Sequence, residues 1–355
     1  MVPEPSPADL IKIPSDVIDI KLGDESLYVI GTREGKVTKI DGLEILRESL
    51  SVSVILYQYL STRLSLTCIK QVLVLRSCLV STIENVASLV LLTKLELYDN
   101  QIEAITGIET LVNLKILDLS FNVIRELGPV SQCPLLEELY VAQNKLRRIE
   151  GLESLVHLKI LDLGANRIRV IEGLECNTSL KSLWLGKNKI DEIKGLDTLV
   201  NLRQLDVQCN RLKSLGDGLS SLRNLSELYL AANEIEDLNG LPVFNLSSEE
   251  GSVVDADTGA DVVLTNNNLT TIDLSNNKLT SIAGIEVLVE LEEFWITRSL
   301  LTSYESLAPL SSLKKLNCVY LEHSPIANDF EYRMKLTEMC PTLEQLDATL
   351  VRRNT

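Results

Sequence analysis

The sequence is poor in the residues that build most catalytic and metal sites. Its 355 residues include only two histidines, and its seven cysteines contain no C-x-x-C pair. This spacing predicts no zinc site and no resident metal. No glycine-x-serine-x-glycine motif and no complete phosphate-binding loop occurs either. We therefore expect a protein that is not an enzyme and has no cofactor, and the dispersed, odd set of cysteines indicates reduced thiols in a cytosolic or nuclear protein.

Positive charge is also scarce in this chain. The sequence has 34 Lys and Arg against 50 Asp and Glu, which gives a formal net charge of −16. An excess of this size argues against binding nucleic acid through its phosphates and favours a partner with a basic surface. The opening stretch, "MVPEPSPADL", lacks the features of a secretory signal, and the longest apolar run, residues 50–60, is too short to span a bilayer. We expect neither a nucleic acid nor a membrane as partner.

Leucine, isoleucine and valine are abundant, and they recur with a period of 22 residues. Successive copies read "LTKLELYDNQIEAITGIETLVN", "LKILDLSFNVIRELGPVSQCPL" and "LEELYVAQNKLRRIEGLESLVH". Their shared template is L-x-x-L-x-L-x-x-N-x-I-x-x-I-x-x-L-x-x-L, the pattern of a leucine-rich repeat. Because one such repeat cannot bury its own apolar side, neighbouring repeats must stack into a solenoid.

The template predicts the structure of each repeat. Leu95 and Leu97 should point into the core, and Glu96 between them should face outward, because side chains alternate along a strand. An asparagine follows each strand, and its amide can bond backbone groups where the chain turns. The return half has apolar residues at every third position, which favours short 3₁₀-type turns. The expected fold is α/β: a leucine-rich-repeat solenoid with a curved parallel β-sheet on the concave face and 3₁₀ or helical turns on the convex face.

Departures from the period suggest the organisation of the chain. We expect an N-terminal tail at residues 1–26, an array of about 11 repeats at 27–322 and a C-terminal repeat cap at 323–355. The acidic, Ser/Gly-rich stretch 243–264 is predicted to be an insertion. Residues 47–67 are predicted to be a second insertion, which we favour over a degenerate repeat. One repeat is a residue longer than the others, at "GDGL".

The outward strand position carries an unusual set of residues, which we call the stripe. In chain order it reads Glu96, Asp118, Tyr140, Asp162, Trp184, Asp206, Tyr229, Asp273, Trp295 and Tyr320. Acid and aromatic alternate from Asp118 to Tyr229, and both tryptophans of the chain belong to the stripe. Cross-strand pairing could explain one exposed tyrosine. Five aromatics in register with acids favour a protein-binding surface for a partner that carries Lys and Arg.

Several blocks resemble one family, the leucine-rich-repeat regulatory subunits of protein phosphatase 1. They include "LDLSFNVIRE", "LGANRIRVIEGLE", "LWLGKNKI", "EEFWIT" and the ending "VYLEHSPIANDFEYRMK". The resemblance covers residues 27–46 and 68–355 apart from the acidic insertion. It implies a solenoid whose concave face holds the phosphatase catalytic subunit, often together with the inhibitor-3 protein, in nucleus and cytoplasm. The expected function is therefore control of the maturation, activity or targeting of that phosphatase.

Motif by motif, the resemblance places partner contacts on the stripe and at one further acid, Glu293, two residues before Trp295 on the same strand face. The candidate partner-binding residues are Asp118, Tyr140, Asp162, Trp184, Asp206, Tyr229, Asp273, Glu293, Trp295 and Tyr320. The insertions and "TRSLL", where an asparagine is expected, depart from the family pattern. The repeats alone also permit a structural adaptor of another assembly, such as axonemal dynein or a spliceosomal particle.

Overall fold

The computed structural model describes residues 71–242, apart from 79, 84, 85 and 88, and residues 268–351. It also describes the backbone of five strands outside these ranges: β1 (Ile18–Gly23), β2 (Ser26–Gly31), β3 (Leu50–Ser51), β13 (Val253–Val254) and β14 (Asp261–Val262). Apart from these short strands, the insertions predicted at 47–67 and 243–264 lie outside the described residues. The limits of the tail, array and cap stay predictions.

The chain divides into two compact units, Met1–Asn166 and Arg167–Thr355. In the first unit, the strands β4 (Val72–Arg76), β6 (Lys94–Glu96), β7 (Ile116–Asp118), β8 (Glu138–Tyr140) and β9 (Ile160–Asp162) pair in parallel in chain order. Strand β2 pairs in parallel with β4, and β1 pairs antiparallel with β2. Strand β1 therefore lies within the stretch predicted as a tail. Strand β5 (Val80–Thr82) pairs with β3 in a separate small sheet.

The second unit repeats the same architecture. Its parallel strands are β10 (Ser182–Trp184), β11 (Gln204–Asp206), β12 (Glu227–Tyr229), β15 (Thr271–Asp273), β16 (Glu293–Trp295), β17 (Cys318–Tyr320) and β18 (Gln345–Leu346). The antiparallel strand β19 (Thr349–Leu350) pairs with β18. Strands β13 and β14 pair only with each other. Because β12 pairs directly with β15, the sequence between them does not interrupt the parallel sheet.

The strands alternate as the template predicts. In β6, Leu95 is fully buried, as is Leu97 after the strand, and the same pattern recurs in the later repeats. The return halves follow the predicted period of three. The buried Leu111 donates its N–H to Ile108, and Leu114 donates to Leu111, at 2.9 and 3.0 Å. Short 3₁₀ helices occur at Gly128–Gln132, Ile285–Val287, Glu305–Ser312 and Pro325–Asn328.

The asparagine after each strand joins neighbouring repeats, as the sequence predicts. The Asn144 side chain donates to the carbonyls of Leu119 and Val141 at 2.9 and 3.1 Å, and it accepts the N–H of Ile124 at 2.9 Å. The preceding residue, Gln143, has a φ of +56°. Ten other residues at the equivalent place also have a left-handed backbone, a feature that the repeat template did not predict: Ser77, Asp99, Phe121, Ala165, Lys187, Cys209, Ala232, Asn276, Arg298 and His323.

The long repeat at "GDGL" keeps its stacking through two glycines. Gly216 has a φ of +59°, which costs a glycine little. A Cβ on Gly218 would lie 2.0 Å from the carbonyl oxygen of Ile193 in the preceding repeat. The extra residue is therefore accommodated by one left-handed turn and one close backbone approach, both of which need glycine.

The stretch predicted as the cap contains the helix α1 (Tyr332–Met339). Asp347 directly follows β18 and accepts the N–H groups of Leu321 and Glu322, both at 2.9 Å. The hydroxyl of Tyr332 on α1 also donates to this carboxylate, at 3.2 Å. In the part of the chain that the structure describes, no helix is long and apolar enough to cross a membrane. Stacked parallel strands with 3₁₀ return turns confirm the predicted fold class, a leucine-rich-repeat solenoid.

Candidate partner-binding site

The stripe residues occupy the last position of successive strands, as the period predicts. In the first unit, strand register places Glu96, Asp118, Tyr140 and Asp162 side by side. In the second unit, it places Trp184, Asp206, Tyr229, Asp273, Trp295 and Tyr320 side by side. Tyr229 lies opposite Asp273, so the predicted insertion between them leaves this part of the stripe continuous.

The first acid of the stripe is already neutralised within the fold. Glu96 is only 5% exposed and forms ion pairs with Arg76 and with Lys94, the latter at 3.4 Å. The Arg76 guanidinium also lies 5.7 Å from the ring centre of Tyr98. Glu96 therefore offers little charge to a partner, and the acidic part of the stripe in this unit begins at Asp118.

The aspartates of the stripe share one local geometry. One carboxylate oxygen of Asp118 accepts the backbone N–H of Ser120 at 2.9 Å. The same bond, to the residue two positions on, occurs at Asp162, Asp206 and Asp273, with lengths of 2.9, 2.8 and 2.9 Å. Each bond fixes the side chain against its own strand end, so the carboxylates are held in place before any partner arrives.

These fixed carboxylates are partly removed from water. Burial raises the pKa of Asp118, Asp162 and Asp273 above its ordinary value, and the backbone hydrogen bonds at Ser120, Gly164 and Ser275 oppose this effect only in part. None of the three carboxylates has an ion pair with a cation among the described residues. A cation supplied from outside would therefore find poorly solvated negative charge.

Two tyrosines of the stripe are held by glutamates that the sequence reading did not select. The Tyr140 hydroxyl donates to Glu138 at 2.9 Å, and the Tyr229 hydroxyl donates to Glu227 at 2.8 Å. Burial first, and then these bonds, raise the pKa of both phenols. The signal was present in the sequence, because Glu138 and Glu227 precede their tyrosines by two residues, as Glu293 precedes Trp295.

Glu227 also ends a hydrogen-bonded row along the first positions of three strands. The Ser182 hydroxyl lies 2.6 Å from the Gln204 side-chain oxygen, and the Gln204 amide donates to Glu227 at 2.9 Å. The row runs beside Trp184, Asp206 and Tyr229 on the same sheet face. These hydrogen bonds hold the side chains beside the stripe in place. The predicted acid Glu293, which is half-buried at the first position of β16, does not belong to the row.

The aromatic residues of β12, β16 and β17 form one cluster. The ring centroids of Trp295 and Tyr320 are 6.0 Å apart in an edge-to-face arrangement, and those of Trp295 and Tyr229 are 6.4 Å apart. Asp273 lies between the strands of Tyr229 and Trp295 and is 9% exposed. The buried indole N–H of Trp295 has no hydrogen-bond acceptor among the described residues.

Asp206 depends on a small neighbour. A Cβ on Gly186 would lie 3.1 and 3.2 Å from the two carboxylate oxygens of Asp206. The second of these oxygens accepts a bond from the Gln208 side chain at 3.1 Å. Gly186 thus leaves room for the Asp206 carboxylate, a role that the strand pattern alone did not reveal.

No group of three or more His, Cys, Asp or Glu side chains among the described residues is arranged to hold a metal ion. None of the six described cysteines belongs to a disulfide. Aromatic rings and fixed carboxylates, which the stripe combines, are common in protein-binding surfaces.

Family models for leucine-rich repeats match the chain in both units. The model described as "Leucine Rich repeats (2 copies)" matches residues 112–154, 156–198 and 200–243. The model described as "Leucine Rich repeat" matches residues 265–287. These matches agree with the strand period.

Among solved structures, an internalin (inlF) from Listeria monocytogenes is similar to the chain, with a TM-score of 0.58 and 20% identity. The similarity covers 92% of this chain and 87% of the internalin chain. The leucine-rich-repeat protein LIC12759 from Leptospira interrogans has a TM-score of 0.58 and 24% identity, over 78% of this chain and 72% of that one. These likenesses support the fold.

Similarity to curated proteins is confined to short stretches. The "Protein phosphatase 1 regulatory subunit pprA" of Dictyostelium discoideum is 36% identical over 22% of this chain, and "Protein phosphatase 1 regulatory subunit SDS22" of Schizosaccharomyces pombe is 40% identical over 21%. The "Centrosomal protein of 72 kDa" of Mus musculus is 35% identical over 24%. These stretches span 23%, 22% and 13% of the three relatives. The chain is thus a leucine-rich-repeat solenoid similar to the leucine-rich-repeat regulatory subunits of protein phosphatase 1.

Proposed function

We propose that this chain is a non-catalytic regulatory subunit that binds the catalytic subunit of protein phosphatase 1 through the stripe. The observation that carries the proposal is the cluster of Tyr229, Asp273, Trp295 and Tyr320 on three successive strand pairings of one sheet. Similarity to two relatives named as phosphatase regulatory subunits supports the choice of partner.

The cluster has the composition of a binding hot spot. Trp and Tyr dominate such sites because they bury a large area at a small cost in side-chain entropy. Asp273 sits between aromatic rings with a raised pKa, so a Lys or Arg of the partner would meet a desolvated carboxylate.

Asp118, Tyr140 and Asp162 of the first unit are proposed to contact the same partner. Here Tyr140 lies between two carboxylates on the neighbouring strands. The Tyr140 hydroxyl is bonded to Glu138, so the groups left for a partner to contact are the face of the Tyr140 ring and the two neighbouring carboxylates. This arrangement favours a basic side chain that stacks on the ring while it meets a carboxylate.

Binding in this way would control the maturation, activity or targeting of the phosphatase. We propose further that the chain acts in nucleus and cytoplasm and that inhibitor-3 joins the same assembly. Both proposals rest on the resemblance of the sequence blocks. Co-purification from fractionated cells, with detection of the catalytic subunit and inhibitor-3 in each fraction, tests them.

The direct test is the affinity of the full chain for the purified catalytic subunit. Trp184→Ala, Trp295→Ala and Asp273→Lys should each weaken binding, whereas Phe330→Ala should not, because Phe330 is 93% exposed on the cap and outside the stripe. Matching thermal unfolding midpoints would show that the variants fold. Unchanged affinity in all three stripe variants would overturn the proposal.

A structural adaptor is the second candidate, and the similarity to a centrosomal protein favours it. In that case the same rigid face would dock a component of a centrosomal or another assembly. Affinity purification that recovers such components without a phosphatase, with recovery abolished by Trp295→Ala, would favour the adaptor.

A further inference from the structure

A row of unpaired cations follows the strands of the second unit, on an otherwise acidic chain. The row lies in three coils, at places next to, or three residues after, Asn166, Asn188 and Asn210. Its members, which we call the basic edge, are Arg167, Arg169, Lys187, Lys189, Arg211 and Lys213. Five of the six are exposed and Lys189 is half-buried.

Backbone hydrogen bonds hold these coils side by side. The N–H of Lys189 donates to the carbonyl of Ile168, and the N–H of Arg211 donates to Ile190, both at 2.8 Å. Arg167, Lys189 and Arg211 thus take equivalent places in three adjacent coils. With neighbouring coils about 4.8 Å apart, the three cations span about 10 Å.

The basic edge is not neutralised from within. No ion pair joins any of its six cations to a carboxylate in the described part of the chain. Asp191 is the one acid at an equivalent place inside the row, and the nearby Glu192 is paired with Lys194 instead. The six cations and Asp191 leave a local charge of +5, on a chain whose net charge is −16.

The row also has a clear limit. In the next coil the equivalent places hold Glu234 and Glu236, and Glu234 forms a 2.8 Å ion pair with Lys278. A hydrogen bond from Lys278 lowers the pKa of Glu234, and the charges of Lys213 and Arg211 add to this effect. Within the second unit, the run of unpaired cations therefore ends where these acids begin.

We propose that the basic edge is a second docking surface, which binds a short acidic segment of a protein partner. An extended peptide advances about 3.3 Å per residue, so the 10 Å row matches about three to four residues rich in Asp and Glu. A nucleic acid is a poorer fit, because its phosphates continue beyond the row into the field of a strongly acidic protein. The proposal does not depend on the phosphatase assignment.

The test uses the full chain and a fluorescent hexaglutamate peptide, with a hexaglutamine peptide and a short single-stranded oligonucleotide as comparison probes. Anisotropy at low ionic strength should show binding of hexaglutamate in preference to both, and added salt should weaken it. In the variant Arg167→Ala/Lys189→Ala/Arg211→Ala, the Kd for hexaglutamate should rise about tenfold or more.

A matched control removes three cations from the opposite ends of the strands in the same unit. The variant Lys181→Ala/Arg203→Ala/Arg223→Ala changes the net charge equally and takes away three exposed side chains. Its Kd should change less than about twofold. Equal weakening in both variants, absence of hexaglutamate binding, or tighter binding of the oligonucleotide would each overturn the proposal. Equal unfolding midpoints would show that both variants retain the fold.

Discussion

The indole ring of Trp295 and the phenol ring of Tyr229 lie 6.4 Å apart and are inclined by 56°, although they belong to strands separated by β15. The two rings flank the strand end of Asp273. In the sequence, the predicted insertion separates Tyr229 from the other two residues. The second unit therefore brings its aromatic residues together across the predicted insertion.

Two substitutions of Trp295 separate the role of an aromatic ring from that of the larger indole. Trp295→Ala removes both and should weaken binding of the phosphatase catalytic subunit by about 2–4 kcal/mol, the range of a central hot spot. Trp295→Phe keeps an aromatic ring beside Tyr320 and removes the buried unpaired donor. Because the phenyl ring is smaller than the indole, this variant should weaken binding by about 1 kcal/mol. The loss of packing in the free chain is offset by removal of the buried unpaired donor, so the free energy of unfolding should change little.

Isothermal titration calorimetry and urea unfolding of the two variants check this prediction, with Phe330→Ala as the exposed-aromatic control. If Trp295→Phe bound as tightly as the wild type, the extra area of the indole would have no part in recognition. If it bound as weakly as Trp295→Ala, the presence of an aromatic ring would not explain the contribution of Trp295.

The Asp162 carboxylate should make stability depend on pH. Burial raises its pKa, with a smaller contribution from the charge of Asp118. The folded protein therefore holds this proton more tightly than the unfolded chain. The contribution of Asp162 to the free energy of unfolding must fall as pH rises from the ordinary carboxyl range, near 4, through the raised value.

Asp162→Asn tests the sign of this effect, because an amide oxygen can still accept the N–H of Gly164. The variant should be more stable than the wild type at pH 7, by about 0.5 kcal/mol. The difference should vanish below about pH 3, where the wild-type carboxyl is protonated in both states. Urea unfolding at both pH values measures it. A stability difference that does not change with pH would contradict the raised pKa of Asp162. In the same variant, binding of the phosphatase catalytic subunit at pH 7 should weaken.

The sequence predicted which way the side chains point better than it predicted which residues they contact. The 22-residue period and the alternation along strands place Leu95 inward and Trp184 outward, because both depend only on backbone geometry. The bond between Tyr229 and Glu227 could have been proposed from their two-residue spacing. The pairing of Glu96 with Arg76 and the unpaired N–H of Trp295 depend on rotamers and on neighbours in other repeats, which one repeat does not specify.

The irregular repeat gives a stability prediction. In Gly218→Ala, the new Cβ would lie 2.0 Å from the Ile193 carbonyl oxygen, so the backbone of one repeat must move. The expected loss in the free energy of unfolding is about 2–3 kcal/mol. Gly128→Ala is the matched control, since a Cβ there has no heavy atom within 4 Å, and it should change stability by less than about 0.5 kcal/mol. Urea unfolding that gave equal losses would refute the close approach.

The left-handed residue before each asparagine gives the sharpest test of the backbone. Ala232 has a φ of +54°, whereas its neighbour Ala231 is not among the residues with positive φ. A left-handed backbone costs an alanine about 1–2 kcal/mol, which glycine avoids. At a position with negative φ, replacement of alanine by glycine instead costs about 0.5–1 kcal/mol in chain entropy. Ala232→Gly should therefore maintain or raise the free energy of unfolding, whereas Ala231→Gly should lower it. Urea unfolding of the two adjacent variants should differ by about 1 kcal/mol or more, and the opposite order would show that the turn does not have the left-handed geometry.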